Sequence, residues 1–210
     1  NLFLLTCMSI VLTNCASRYR SIHPAKQQFS RSGAKGAIDL SWQPNVLSSS
    51  HNKKYAKKAG KKDIQVVAVR IKNNTGKPIQ LGRDFSVTDG NNDIQPISTE
   101  ETLSALKQQP LYYLGYLGLA IFNVKYSFST TRNGEETSSG SGKSRIPSVV
   151  AGAALAGGNY LVANKANKKF ETELQQNNLV GREIKPGEIC FGLLVFRGGS
   201  SPNNLSVTPK

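Results

Sequence analysis

Ile64 to Lys72 carries the strongest strand signal in the chain. Ile64, Val66, Ala68 and Arg70 alternate with Gln65, Val67, Val69 and Ile71. A period of two predicts a strand, and apolar residues at both phases predict a central strand covered on both faces for part of its length. Ile38 to Trp42 alternates in the same way. Asn73-Asn74-Thr75-Gly76 predicts a turn leading to Pro78–Leu81 and then a strand from Asp84 to Thr88. Asp89-Gly90-Asn91-Asn92 predicts a hairpin turn into Ile94–Ile97. Late in the chain, Leu179–Ile184 runs into the Pro-Gly turn of Lys185-Pro186-Gly187-Glu188. Ile189–Phe196 then reads as a long apolar strand in which Gly192 marks a bulge or close packing, and Leu205–Val207 is the last strand.

Between these groups the period changes. Ser98 and Glu101 have capping-box spacing and open a helix that Pro110 ends. Leu111–Val124 is apolar, and its end alternates from Phe122 to Phe128 as a strand would. Residues 129–144, rich in Ser, Thr and Gly, read as a mobile loop. A long helix is predicted from Pro147 to Gln176. Its first half is nearly all small or aliphatic, and its second half places Val162, Ala166, Phe170 and Leu174 at a spacing of four. Gly152, Ala156 and Gly157 belong to small-xxx-small pairs that permit close helix packing, with Gly115 and Gly118 as the matching surface.

The expected fold is mainly β with a helical insertion: a two-sheet antiparallel sandwich over residues 38–208, carrying an inserted helical hairpin at 99–178. Residues 66–75, 85–90 and 184–188, with Gly192 and Phe196, resemble the immunoglobulin-like β-sandwich domains of small bacterial lipoproteins of unknown function. The resemblance covers about residues 38–98 and 179–208. It implies a fold without enzymatic activity. The insertion departs from it and admits two readings: a hairpin packed on an open sheet face, or one that oligomerises or dips into a membrane. Leu111–Val124 and the stretch 146–163 are both poor candidates for a span, which needs about 20 apolar residues.

The N-terminus changes the picture of where such a fold would work. Residues 1–14 carry no charge and are largely apolar, with a length suited to the core of a secretory signal. The chain begins with Asn, so a start Met and basic segment are expected to precede it. Leu12-Thr13-Asn14-Cys15 resembles a relaxed bacterial lipobox, with Asn14 in place of the usual small residue. The resemblance implies that Cys15 is lipidated and becomes the mature N-terminus. Two or more acyl chains, each contributing about 0.8 kcal/mol per buried CH₂, would hold a protein firmly to a bilayer. Residues 15–37 then read as a basic, flexible tether. No acid lies between Cys15 and Ile38. Lacking the acidic run that surface-exported lipoproteins resemble one another in, the chain is expected on the periplasmic side of the outer membrane.

Charge is unevenly placed. The 210 residues hold 27 Lys and Arg against 13 Asp and Glu, a net of +14. Residues 1–62 hold eleven of the cations and one acid, Asp39, a net of +10, which leaves +4 for the rest. Lys53, Lys54, Lys57, Lys58, Lys61 and Lys62 form the densest cluster. They read either as a solvated loop between strands or, in a helix, as one face that an anionic lipid or glycan would neutralise. Nucleic acid is not expected, because no aromatic-studded sheet accompanies the charge.

Catalytic signals are poor. Gly140-Ser141-Gly142-Lys143-Ser144 resembles half a phosphate-binding loop, but Thr137 stands where its first Gly belongs. His23 and His51 have no acid or Cys at ligand spacing, so no metal and no cofactor are expected. Cys190 lies in an apolar strand as a buried thiol, and Cys7 lies within the signal. The sequence therefore points to a non-enzymatic, lipid-anchored envelope protein that binds another envelope component or forms a homo-oligomer. Tyr112, Tyr113 and Tyr116 would serve the alternative, a small-ligand receptor or enzyme with a pocket beside the insertion. A membrane-inserting hairpin is the third reading.

Overall fold

The alternation in Ile64–Lys72 is realised in a computed structural model that describes residues 15–35, 37–90, 92–121, 128–132, 135–140, 148–198, 202 and 204–210. In chain order its strands and helices are β1 (Arg31–Lys35), β2 (Ile38–Gln43), α1 (Val46–Ser49), α2 (Lys53–Lys61), β3 (Ile64–Asn73), β4 (Ile79–Gln80), β5 (Phe85–Asp89), β6 (Asn92–Asp93), α3 (Thr99–Leu106), β7 (Phe128–Arg132), β8 (Glu135–Gly140), α4 (Ser148–Gln176), β9 (Glu183–Ile184), β10 (Ile189–Arg197) and β11 (Leu205–Pro209). A short 3₁₀ turn, Pro24–Lys26, precedes β1, and a 3₁₀ helix, Pro110–Ile121, follows α3. The protein is a mixed fold of antiparallel sheets and helices.

The chain divides into two units. One comprises residues 17–108 and 165–210, the other residues 1–16 and 109–164. In the larger unit the sheet order is β1-β2-β3-β10, with a second sheet β11-β5-β6 and a two-stranded pair β4-β9. β3 is flanked by β2 and β10, with Leu40 opposite Ile71 and Leu193 opposite Ala68. Its two faces feed two separate cores. Val67, Val69 and Ile71 join Leu40, Trp42, Leu194 and Phe196 with Phe85, Val87, Leu205 and Val207 of the second sheet. Ile64, Val66 and Ala68 join Leu193 and Val195 in another core, closed by residues of α1, α2, α3 and the C-terminal half of α4. The double burial read from the sequence thus corresponds to one sheet with a β layer on one side and helices on the other.

The turns follow their chemistry. Buried Asn73 donates from Nδ2 to the carbonyls of Lys77 and Ile184, both at 2.9 Å, while its Oδ1 accepts from the Thr75 amide at 2.9 Å. Its own backbone holds the Pro-Gly turn, accepting from Gly187 N at 2.7 Å. Gly187, at φ +77°, adopts the left-handed conformation that this turn requires. Ser98 Oγ accepts from the Glu101 amide at 3.1 Å, as the capping spacing requires.

Gly192 resolves to close packing. Its pairing with Val69 is regular, without a bulge. A β-carbon there would lie 2.4 Å from Leu179 Cγ and 2.7 Å from the Asn177 carbonyl oxygen. Leu179 is buried, and Asn177 O is held by the Leu193 amide at 2.7 Å, so neither can withdraw. Gly192→Ala is expected to lower unfolding free energy by about 2–3 kcal/mol through overpacking, read as a lower urea midpoint at unchanged slope.

Three expectations need correction. Residues 15–37 are not a free tether: Tyr19 and Ile22 are buried in the second core, and β1 pairs with β2 from Arg31–Trp42 to Lys35–Ile38. Isolated apolar residues in a basic, polar stretch acquire a place only when a sheet face needs covering. The segment 129–144 is not wholly a loop, because β7 and β8 pair as a hairpin with an irregularity at Thr130/Thr131; β-branched Thr130, Thr131 and Thr137 suit a pleated strand. The helical part of the insertion is also shorter than 99–178, since α3 and the α4 residues Ala166, Phe170 and Leu174 belong to the main core. Residues 1–14, Phe122–Ser127 before β7, and 141–147 lie outside the described residues.

The smaller unit contains the Pro110–Ile121 3₁₀ helix, the β7–β8 hairpin and the first half of α4. Tyr113 and Ala156 are buried there, whereas Leu111, Tyr112, Leu114, Leu117, Leu155 and Leu161 are exposed, Tyr112 to 78%. Among the described residues no helix is long and apolar enough to cross a membrane.

Candidate functional site

The six lysines lie on a helix. α2 covers Lys53–Lys61, and Lys62 is its C-cap. Locally this helix is poorly supported. Lys53 and Lys54 sit at the end where the backbone dipole disfavours cations. Lys pairs at i,i+4 repel by a few tenths of a kcal/mol each. Asn52, at the N-cap, makes no side-chain capping bond. Its amide is spent elsewhere: Oδ1 accepts from Arg20 N and Nδ2 donates to Arg20 O, both at 2.8 Å.

Tertiary packing supplies what local chemistry withholds. Tyr55 and Ala59 face the core. The Tyr55 ring lies 4.7 Å from Phe170 and 5.3 Å from Tyr19, centroid to centroid, and its hydroxyl donates to Asn167 Oδ1 at 2.9 Å. This orientation turns Lys53, Lys57, Lys61 and Lys62 fully outward and leaves Lys54 and Lys58 half-buried. Lys58 Nζ donates to the Lys107 carbonyl. Partial burial, then the like charges of Lys62, Lys54 and Lys107, push the Lys58 ammonium below the usual lysine range. No described carboxylate forms an ion pair with Lys53, Lys57, Lys61 or Lys62.

Beside α2 runs the segment that leads from Cys15. Three buried polar side chains hold its backbone. Gln108 Oε1 accepts from Ser17 N at 3.1 Å, and its Nε2 donates to Ser17 O at 2.6 Å. Asn52 brackets Arg20 as described. Glu173 Oε1 accepts from Ile22 N at 2.7 Å and His23 N at 3.0 Å. Gln108 is itself fixed, because its amide donates to Asn167 Oδ1 and its carbonyl accepts from Asn167 Nδ2, both at 2.8 Å. Tyr19 and Ile22 fill the core between these clasps. The Tyr19 hydroxyl and Glu173 Oε2 are buried without a hydrogen-bond partner among the described residues. Burial first, and then the nearby Glu173 carboxylate, raise the Tyr19 phenol far above its ordinary range.

This clasp was not read from the sequence. The available signals were slight: Tyr19 and Ile22 three residues apart in a polar stretch, and Glu173 beside the Ala166–Phe170–Leu174 stripe.

The remaining sequence candidates stand apart from one another. Cys15 is exposed. In the smaller unit, the next amide, Ala16 N, donates to Asn159 Oδ1 of α4 at 2.8 Å. Ala156 is buried, but Gly115 is exposed, and among the described residues a β-carbon at Gly115 or Gly157 would meet no atom within 4 Å. Neither glycine is thus at a close helix crossing with another described residue. The side-chain surroundings of Gly118 and Gly152 lie outside the described residues. His23 and His51 occupy left-handed turns on the surface, and no cluster of three metal-ligating side chains occurs among the described residues. Cys190 is buried, and burial raises its thiol. An open groove of about 480 Å³ is lined by Arg31, Ser32, Trp42, Gly90, Asn204 and Ser206 among others, with no carboxylate, histidine or cysteine in its wall. Of the half phosphate-loop pattern only Gly140, at the end of β8, is described. The described geometry thus offers a basic helix clasped to an N-terminal segment. No family model, no curated protein and no solved structure matches this chain.

Proposed function

We propose that this chain is a lipid-anchored, non-enzymatic protein of the bacterial envelope, acting as a binding or structural module. In this reading the two-sheet part of the larger unit is an immunoglobulin-like sandwich. The observation that carries the proposal is the setting of Cys15. It follows an uncharged, largely apolar stretch, it is exposed, and within two residues the chain is clasped to the folded body. An acyl anchor at Cys15 would therefore hold the larger unit close to the bilayer and not on a long leash, since two residues span at most about 7 Å. The periplasmic side of the outer membrane is the proposed location.

Cys15→Ser tests this. The variant is expected to lose incorporation of a fatty-acid label and to move from the membrane to the soluble fraction of the cell. Its fold should be retained, because the exposed thiol contributes nothing to either core. A variant that stays with membranes after a high-salt wash would overturn the reading. Attachment would then fall to the exposed apolar side chains of the smaller unit, Leu111, Tyr112, Leu114, Leu117, Leu155 and Leu161, which favour the membrane-dipping alternative.

A further inference from the structure

We propose that the outward lysine face of α2 is a docking surface for an anionic lipid bilayer. The proposal deepens the anchoring reading, because it says which side of the larger unit faces the lipid, but the binding itself does not require acylation.

Ser17, two residues after Cys15, is held by Gln108. The adjoining Lys107 carbonyl accepts from Lys58 of α2. Arg20 is held by Asn52, at the N-cap of the same helix. The chain leaving Cys15 therefore passes along the basic helix, and Arg18 and Arg20 on that segment are themselves exposed. A lipid at Cys15 would thus be joined, through Ala16 alone, to a segment that is held along this basic helix.

Lys53, Lys57, Lys61 and Lys62 are exposed and not matched by a described carboxylate. The helix holds Lys53 at the end where its own dipole disfavours a cation, without a side-chain cap, and Lys53, Lys57 and Lys61 repel one another at a spacing of four. Such crowding is relieved by external negative charge.

Lys53 to Lys61 spans about 12 Å along the helix at 1.5 Å per residue. Exposed Lys53, Lys57 and Lys61, four residues apart, form a row along one side of the helix, which suits an array of phosphates better than one phosphate ion. Among the described residues, the aromatic side chains on and against the helix, Tyr55, Tyr19 and Phe170, are buried and offer no face on which a nucleotide base could stack.

The test uses the full chain with Cys15→Ser and sedimentation with vesicles. Phosphatidylcholine vesicles are compared with vesicles also containing phosphatidylglycerol. Residues 1–14 meet both kinds of vesicle alike, so the difference reports charge. Binding is expected to be much tighter to the anionic vesicles and to fall away near 1 M salt, where the Debye length is about 3 Å. Replacing Lys53, Lys57, Lys61 and Lys62 with Gln should weaken it by roughly fivefold per lysine, compounding to several hundredfold. Thermal unfolding should show that this variant is folded, since it removes only exposed charge.

Equal binding to both vesicles, or an unchanged affinity of the quadruple variant, would overturn the proposal. So would competition by inorganic phosphate at the lipid phosphate concentration, which would make a free anion the ligand. Preferential capture of RNA from a vesicle mixture would make the face a nucleic-acid surface and likewise overturn it. Failure of anchoring is distinguishable: Cys15→Ser would then remain on cell membranes while the vesicle result stood.

Discussion

Phe170→Ala is expected to lower unfolding free energy by about 4 kcal/mol and the thermal midpoint by ~10 °C. Phe170 is completely buried, with its ring 5.2 Å from Tyr19 and 4.7 Å from Tyr55. It is the point where α4, α2 and the N-terminal segment meet. Truncation to alanine removes the ring's transfer free energy and leaves a cavity whose walls are two further rings and the β3–β10 sheet. Those walls cannot close easily, because Tyr55 is tied to Asn167 and the Tyr19 backbone lies between two clasps. Urea unfolding gives the free energy. Amide exchange gives the location: residues 53–61 should lose more protection than β3 and β5. Phe170→Leu should recover at least half of the loss. A loss below about 1 kcal/mol would mean that the helical layer contributes little to stability.

Glu173→Ala is the second large effect. It leaves the Ile22 and His23 amides, at 2.7 and 3.0 Å from Oε1, without their acceptor. A buried donor left unpaired costs about 1–3 kcal/mol, so a loss of roughly 2–5 kcal/mol is expected. Local opening limits the cost, because the segment can swing out and reach water. Exchange of those two amides should therefore rise more than global unfolding explains. Glu173→Gln keeps an acceptor oxygen and should lose clearly less. Tyr19 adds a signature in pH. Its folded-state value is raised, so its contribution is intact below the ordinary tyrosine value near 10 and is lost as pH climbs beyond it, by about 1.4 kcal/mol per pH unit. Tyr19→Phe should abolish that alkaline loss. Wild-type stability that stays flat to pH 11.5, about one and a half units above the free phenol value, would refute the buried, protonated phenol.

Together these two residues show how the proposed surface is built. The lysine helix has little intrinsic stability, and its orientation comes from Tyr55 against Phe170. The segment after Cys15 is short of apolar residues, and it is positioned by Gln108, Asn52 and Glu173. Weakening either support should loosen the basic face before it unfolds the double-sheet core, where Trp42, Val69, Phe85 and Val207 pack independently.

Several features were legible in the residues themselves. The two-residue period of Ile64–Lys72 announced a strand buried on both faces. Ser98 and Glu101 announced a helix start, and the stripe Val162–Ala166–Phe170–Leu174 announced the inward face of α4 at its last three members, Val162 being only half-buried. Gly192 announced a bulge or a close approach, and its packing on Leu179 makes it the second. Each is a local signal, in which the spacing of a few residues fixes the direction of side chains or the fate of a few amides. The six lysines were equally visible, but their spacing could not decide between loop and helix. Their mutual repulsion argues against the helix, and only Tyr55 and Ala59, seated on a distant Phe170, argue for it.

The clasp was not legible, for the same reason in sharper form. The Glu173 contact with Ile22 joins residues 151 apart, and the Gln108 contact with Ser17 joins residues 91 apart. No period or turn motif encodes a pairing of that length. A basic segment with scattered Tyr19 and Ile22 reads as solvated because composition averages over neighbours, while burial is decided atom by atom. Local residue spacing was enough for β2, β3, β5, β10 and β11, the helix cap, the location of the positive charge and the reason to single out Cys15. Long-range packing sets the place of β1 and of the segment following Cys15, because one face of β3 and β10 needs apolar cover and the buried amides need acceptors that lie elsewhere along the chain.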